Sequence, residues 1–128
     1  MSQRASLLVV DDEPSVALMV AEILKREGYG VRTATRVDDA RAWVEDGARF
    51  DLAILDVVMP TMSGDQMAEW LRQRDPDAKV LFLTGYAEAL FQARPILWAG
   101  ESFLEKPFTS KGLLEAVSMA LYGRLSTS

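Results

Sequence analysis

Short apolar runs alternate with longer stretches of helical periodicity along this chain. Leu7-Leu8-Val9-Val10 has the length and composition of a buried strand and ends abruptly at Asp11-Asp12. Pro14 suits the first turn of a helix, in which Val16, Met19, Val20, Ile23 and Leu24 recur at helical spacing until Gly28. Residues 30–35 read as a second strand. Ala40, Trp43 and Val44 give the next helix an apolar face that ends near Gly47. Leu52-Ala53-Ile54-Leu55 is a third buried strand, stopped by Asp56. A loop with Pro60 and Gly64 follows, then a helix through Met67, Ala68 and Leu71, then a turn at Asp75-Pro76-Asp77. Val80-Leu81-Phe82-Leu83 is a fourth strand, stopped by Thr84-Gly85. Phe103-Leu104 is a brief fifth strand, stopped by Lys106-Pro107. Leu113, Leu114, Val117 and Leu121 mark a last helix that runs out near Gly123, before a short polar tail expected to fray.

Strands that are apolar throughout, separated by helices, imply a parallel sheet covered on both faces. The expectation is an α/β domain of doubly wound (βα)5 architecture, flavodoxin-like, with a five-stranded parallel sheet in the order 2-1-3-4-5. Pro95 falls inside the expected fourth helix, between Ala87 and Ala99. Proline in a helix interior costs roughly 3 kcal/mol, so that helix is expected to be shortened, kinked or partly loop. Phe91, Ile96, Leu97 and Trp98 add an apolar cluster there. Core packing is the favoured reading of it; a partner surface through Phe91 or Trp98 is the lesser one.

Composition narrows the picture. The 128 residues suit one domain, expected over 1–128 with a core of about 6–122 and no repeat or linker. With 49% hydrophobic and 26% charged residues the profile is globular. No apolar run approaches the ~20 residues that cross a bilayer, and Leu7–Val10 is too short for a signal peptide. Cysteine is absent, which removes disulfides, thiolate metal sites and cysteine nucleophiles, and fits a reducing, cytoplasmic setting. Histidine is absent too, which excludes histidine acid–base catalysis, histidine-ligated zinc and a phosphohistidine on this chain. The net charge of −5 and the lack of a basic stripe argue against direct nucleic-acid binding.

The candidate chemistry lies where the apolar strands stop. Asp11, Asp12, Asp56, Thr84 and Lys106 follow four different strands, and in a parallel sheet those carboxyl ends share one edge, where ligands bind. Clustered carboxylates repel, so a positive group must hold them ionised. Oxygen ligands without His or Cys select a hard cation, with Mg²⁺ foremost. Lysine, hydroxyl and metal together would cradle phosphoryl oxygens, and a carboxylate in that cradle can act as a nucleophile. Taken singly, each residue has a plainer reading. Asp11-Asp12 could cap the following helix, Asp56 could begin an Asx turn, Thr84-Gly85 could be a strand exit, and Lys106 could be a solvated lysine.

At these residues the chain resembles the receiver domains of bacterial response regulators, over roughly Leu7 to Leu121. The matching motifs are Leu8-Val9-Val10-Asp11-Asp12-Glu13, Leu55-Asp56-Val57-Val58-Met59-Pro60 with Gly64, Leu83-Thr84-Gly85, and Lys106-Pro107-Phe108. The resemblance implies a phosphoacceptor switch of a two-component phosphorelay. Asp56 would take a phosphoryl group from the phosphohistidine of a sensor histidine kinase or histidine phosphotransfer protein. Asp12 would ligate Mg²⁺ directly, Asp11 through water, and the backbone carbonyl of Val58 would complete the set; Mn²⁺ could substitute. Thr84 would hydrogen-bond the phosphoryl group and Lys106 would pair with it. The Lys106-Pro107 bond would be cis, and Phe103 would be the switch aromatic that swings inward as Thr84 moves. The chain would catalyse its own phosphorylation and dephosphorylation rather than classical turnover, signal to a downstream protein, and could form a homodimer. Phe103 stands where tyrosine is frequent and Gly85 where alanine is common. The Thr84-Gly85-Tyr86-Ala87-Glu88 run is similar to receivers of hybrid histidine kinases, so a free-standing switch and a piece of such a kinase are both open. Apolar Val58 and bulky Tyr86 are expected to hinder water and lengthen the life of the phosphoryl state.

Three rivals fit less well. An aspartyl phosphatase usually needs a second acid two residues after the nucleophile, where this chain has Val58. A flavin- or nucleotide-binding module needs a Gly- or Ser/Thr-rich phosphate loop after the first strand, where this chain has Asp11-Asp12-Glu13-Pro14. A receiver-like interaction domain that never takes phosphate would have no use for the intact acidic, hydroxyl and lysine set.

Overall fold

Side chains alternate across a strand, so a run that is apolar at every position must be buried on both sides. The computed structural model, which describes residues 4–85 and 100–123, shows how this is met. Strands β1 (Ser6–Val10), β2 (Gly30–Ala34), β3 (Leu52–Asp56), β4 (Val80–Thr84) and β5 (Glu101–Glu105) form one parallel sheet in the order β2-β1-β3-β4-β5. Helices α1 (Pro14–Arg26), α2 (Val37–Glu45), α3 (Gly64–Arg74) and α4 (Ser110–Tyr122) cover it. On one face Leu8, Val10, Leu55 and Phe82 pack with Ala40 of α2 and Met67 of α3. On the other, Leu7, Val9, Ile54 and Leu81 pack with Val20 of α1 and Val117 of α4. Adjacent residues of one strand thus serve two cores.

The doubly wound fold and its strand order are as expected, and the details differ in places. β2 and β5 lie at the sheet edges and are not apolar throughout: Arg32 and Thr33 are exposed. β2 stops at Ala34, one residue short of the expected range, and β5 extends on both sides of Phe103-Leu104 to Glu101–Glu105. Met19 is 43% exposed, not part of the core face. The buried stripe of α1 is Ala17, Val20, Ala21 and Leu24, an i, i+3, i+4, i+7 set that places Met19 beyond its edge. The expected helix around Pro95 lies outside the described residues, as do Tyr86, Phe91, Ile96, Leu97, Trp98 and the polar tail.

Local chemistry sets the helix ends. Ser63 and Gln66 form a reciprocal capping box at the start of α3. The Thr109 hydroxyl accepts the Gly112 N–H at 2.9 Å to start α4, and Gly123 ends it in a left-handed conformation at φ 70°. Two tryptophans of the helical layer hold guanidinium groups: Arg32 lies 4.0 Å from the Trp43 ring centre, and Arg41 and Arg74 lie 5.1 and 4.0 Å from that of Trp70.

Where the strands begin, polar groups pair off. Lys79 Nζ donates to the Leu121 carbonyl at the end of α4 at 2.7 Å. Arg72 Nε lies 3.7 Å from Glu101 Oε2, and the Glu101 carboxylate is wholly buried. The Ser6 N–H donates to Asp51 Oδ2 and the Asp51 N–H to the Ser6 carbonyl, both at 2.7 Å. A cleft of about 820 Å³ between α2 and α3 also opens at this edge, above Leu8, Phe50 and Leu71. Among the described residues no helix is long and apolar enough to cross a membrane.

Candidate functional site

The opposite edge gathers the acidic residues. β1 and β3 are hydrogen-bonded neighbours, so the residues that end them emerge side by side. Asp11, Asp12 and Asp56 offer carboxylate oxygens that all lie within 4.8 Å of one another. Asp11 is fully buried and Asp56 is 6% exposed. Lys106 arrives from beyond β5, its N–H held by the Thr84 carbonyl at 2.7 Å. Its Nζ lies 3.4 Å from Asp11 Oδ2 and 3.7 Å from Asp56 Oδ2. The Lys106-Pro107 peptide bond is cis.

The Asx-turn reading of Asp56 holds alongside the cluster, and the capping reading of Asp11-Asp12 does not. Asp56 Oδ1 accepts the Val58 N–H at 3.3 Å, which is an Asx-type turn. Asp11 Oδ1 accepts the Glu13 N–H at 3.0 Å, while the N-cap of α1 is Glu13, which makes no side-chain cap. Each carboxylate therefore uses one oxygen to shape its own loop and turns the other toward Lys106.

One lysine does not balance three carboxylates. The Asp56 carboxyl is pushed up to about 6, first by burial and then by the Asp11 charge; Lys106 and the Val58 N–H pull the other way without cancelling them. A divalent cation would relieve that repulsion. The donor set is entirely oxygen, which fits Mg²⁺ and excludes a preference for soft metals.

The remaining residues expected at the site have these positions in the fold. Thr84 ends β4, next to β3, and is 1% exposed. Val58 follows Asp56 by two and its side chain is 67% exposed. Phe103 lies in the middle of β5, in register with Phe82, and is 37% exposed. Tyr86 lies outside the described residues.

Two features lie beyond the sequence, and a third, Gly64, is legible there only as part of a motif. Lys106 faces Asp11 more closely than Asp56, which only a fold can reveal. Thr61, in the loop after β3, has φ 72°, the one positive φ of a non-glycine among the described residues. Gly64 closes the same loop, its N–H donating to the Val57 carbonyl at 2.9 Å. The available signal for Gly64 was a glycine placed directly after an N-cap serine, where helix propensity alone would disfavour it.

Known proteins share this arrangement. Residues 7–118 match the model of the response regulator receiver domain family. Sensor kinase CckA of Brucella abortus is 36% identical over 122 residues, covering 94% of this chain and 13% of that protein. The probable transcriptional regulatory protein TcrX of Mycobacterium tuberculosis is 36% identical over 107 residues, covering 84% of this chain and 45% of that protein. The chain thus spans less than half the length of either relative. Among solved structures, response regulator TrrA of Thermotoga maritima, in complex with Mg²⁺-BeF, superposes with a TM-score of 0.80 at 35% identity, covering 92% of this chain and all of that one. A CheY-like receiver domain protein of Methanospirillum hungatei gives 0.79 at 29% identity over 94% of both chains. An acidic edge closed by one lysine, on a sheet ordered 2-1-3-4-5, is thus accounted for by descent: this chain belongs to the response regulator receiver domain family.

Proposed function

We propose that the chain is a phosphorylation switch whose acceptor is Asp56. The observation that carries this reading is the placement of Asp56 against Asp11, Asp12 and Lys106 at one strand edge. The phosphoryl donor is the phosphohistidine of a sensor histidine kinase or a phosphotransfer protein, because this chain has no histidine of its own. An ionised Asp56 oxygen attacks phosphorus in line. The O–P bond forms, the P–N bond breaks, and its electron pair returns to the departing imidazole. Lys106 Nζ pairs with the oxygens of the transferring group, and the Thr84 hydroxyl donates to one of them. Mg²⁺, held by Asp11, Asp12, Asp56 and the Val58 carbonyl, supplies charge neutralisation when bound, and Mn²⁺ suits the same oxygen set. Water later cleaves the acyl phosphate, which returns the carboxylate and releases phosphate.

The donor needs a surface, and α1 offers one. Leu18 and Met19 are exposed on the helix that begins directly after the acidic pair. Movement of Thr84 toward the phosphoryl group biases Phe103 on the neighbouring strand, and that altered surface is read by a downstream protein in the cytoplasm.

Incubation with acetyl phosphate and Mg²⁺, followed by intact mass, tests the reading. One phosphate adduct is expected on the wild type and none on Asp56→Asn. An adduct that survives that substitution, or no adduct on the wild type, sinks it.

A further inference from the structure

We propose that Gly64 is a positioning residue for the acidic site, holding the Val58 carbonyl in place relative to the Asp56 carboxylate; the claim rests on the metal set assigned under the proposed function.

The loop after β3 leaves the sheet at Val57 and returns to the same point at Gly64. Its ends are tied by the Gly64 N–H to the Val57 carbonyl, and its middle by the Met62 N–H to the Pro60 carbonyl at 2.7 Å. The capping box fixes the first turn of α3: the Ser63 N–H donates to Gln66 Oε1 at 3.0 Å, and the Gln66 N–H to Ser63 Oγ at 3.4 Å. The result is a backbone approach with no room for a side chain. A Cβ at position 64 would overlap the Asp56 carbonyl oxygen and lie 3.0 Å from both the Asp56 carbonyl carbon and the Val57 Cα.

Space, not backbone freedom, explains the glycine. Gly64 is not among the positive-φ glycines, and it is the first residue of α3, where alanine is the better helix former. Something must move if a Cβ is added, and Asp56 cannot. It is a residue of β3, which is paired with both β1 and β4, and the next N–H, of Val57, donates to the Leu83 carbonyl at 3.0 Å. The loop has to give instead. Val58, next along it, carries the carbonyl of the metal set. Gly64 touches no reacting group and acts through this backbone.

The test is a calorimetric Mg²⁺ titration of the Gly64→Ala protein, with circular dichroism to show that it is folded. Affinity is expected to fall about tenfold, the loss typical of a disturbed supporting group around a metal. A folded Gly64→Ala protein that binds Mg²⁺ within about twofold of wild type overturns the proposal, since changes under that size fall inside ordinary surface effects. If Gly64→Ala does not fold, the Ser63→Ala/Gln66→Ala protein decides. It releases the clasp without adding bulk, and must bind Mg²⁺ more weakly; unchanged affinity there overturns the claim. A wild type that binds Mg²⁺ but takes no phosphoryl group refutes the phosphoacceptor reading and leaves the titration to judge Gly64. A wild type that binds no Mg²⁺ overturns both.

Discussion

The two edges of the sheet treat charge in opposite ways. Where the strands begin, charged groups are matched: the buried Glu101 carboxylate faces Arg72, and Lys79 closes the end of α4. Where the strands end, Asp11, Asp12 and Asp56 crowd together with Lys106 as the cation between Asp11 and Asp56. One edge pairs its polar groups; the other leaves negative charge in surplus. On the proposed function, the difference separates residues that hold the fold from residues that would do chemistry, though each set includes a fully buried carboxylate, Glu101 in one and Asp11 in the other.

Breaking the matched edge carries the largest stability effect. Arg72→Ala removes the guanidinium facing a wholly buried carboxylate, and is expected to cost about 3 kcal/mol in urea unfolding. A loss well under 1 kcal/mol would show that Glu101 is not held by this pair.

At the other edge a substitution should stabilise. The Asp56 carboxyl ionises near 6 in the fold, against 3.8 for an unperturbed group. The protonated form is favoured by folding, so its contribution is complete below pH 3.8 and is lost as pH rises through about 6. In EDTA, Asp56→Asn is therefore expected to match wild type in acid and to exceed it above pH 6, by on the order of 1 kcal/mol after solvent screening. Parallel stability curves from pH 4 to 8 would contradict the surplus of charge.

Smaller effects sharpen the contrast. Lys79→Met removes the bond to the Leu121 carbonyl and is expected to lower stability by about 1 kcal/mol, without changing phosphoryl uptake from acetyl phosphate. Thr61→Gly should raise stability by about 0.5 kcal/mol, because glycine adopts a positive φ that a β-branched residue resists. Thermal unfolding of both proteins would check the opposite signs.

Much of this could be read from the chain. β1, β3 and β4 are apolar runs that end on a polar residue, so the same residues announce both strand and site. The edge strands were harder. β2 mixes Arg32 and Thr33 into its run, because one flank of an edge strand faces solvent, and β5 opens on Glu101, whose buried carboxylate answers Arg72 rather than water. Met19 shares the helical spacing of Val20 and Ile23 but stands beyond the buried stripe, and the small Ala17 and Ala21, which carry little apolar signal in sequence, are buried in its stead beside Val20 and Leu24. Arg72 and Glu101 could not be paired from sequence, since nothing local links a residue of α3 with one of β5. Gly64 was visible only as part of a motif; its purpose depends on a backbone that passes beneath it.

The guanidinium-bearing tryptophans have a practical consequence. Trp43 and Trp70 are two of the three tryptophans in the chain. Stacked cations alter the emission of an indole, so these rings give the unlabelled protein an optical reporter of the α2–α3 layer. Trp70 stands on the helix whose first residue is Gly64, and its fluorescence should register any shift passed from the acidic loop into that helix.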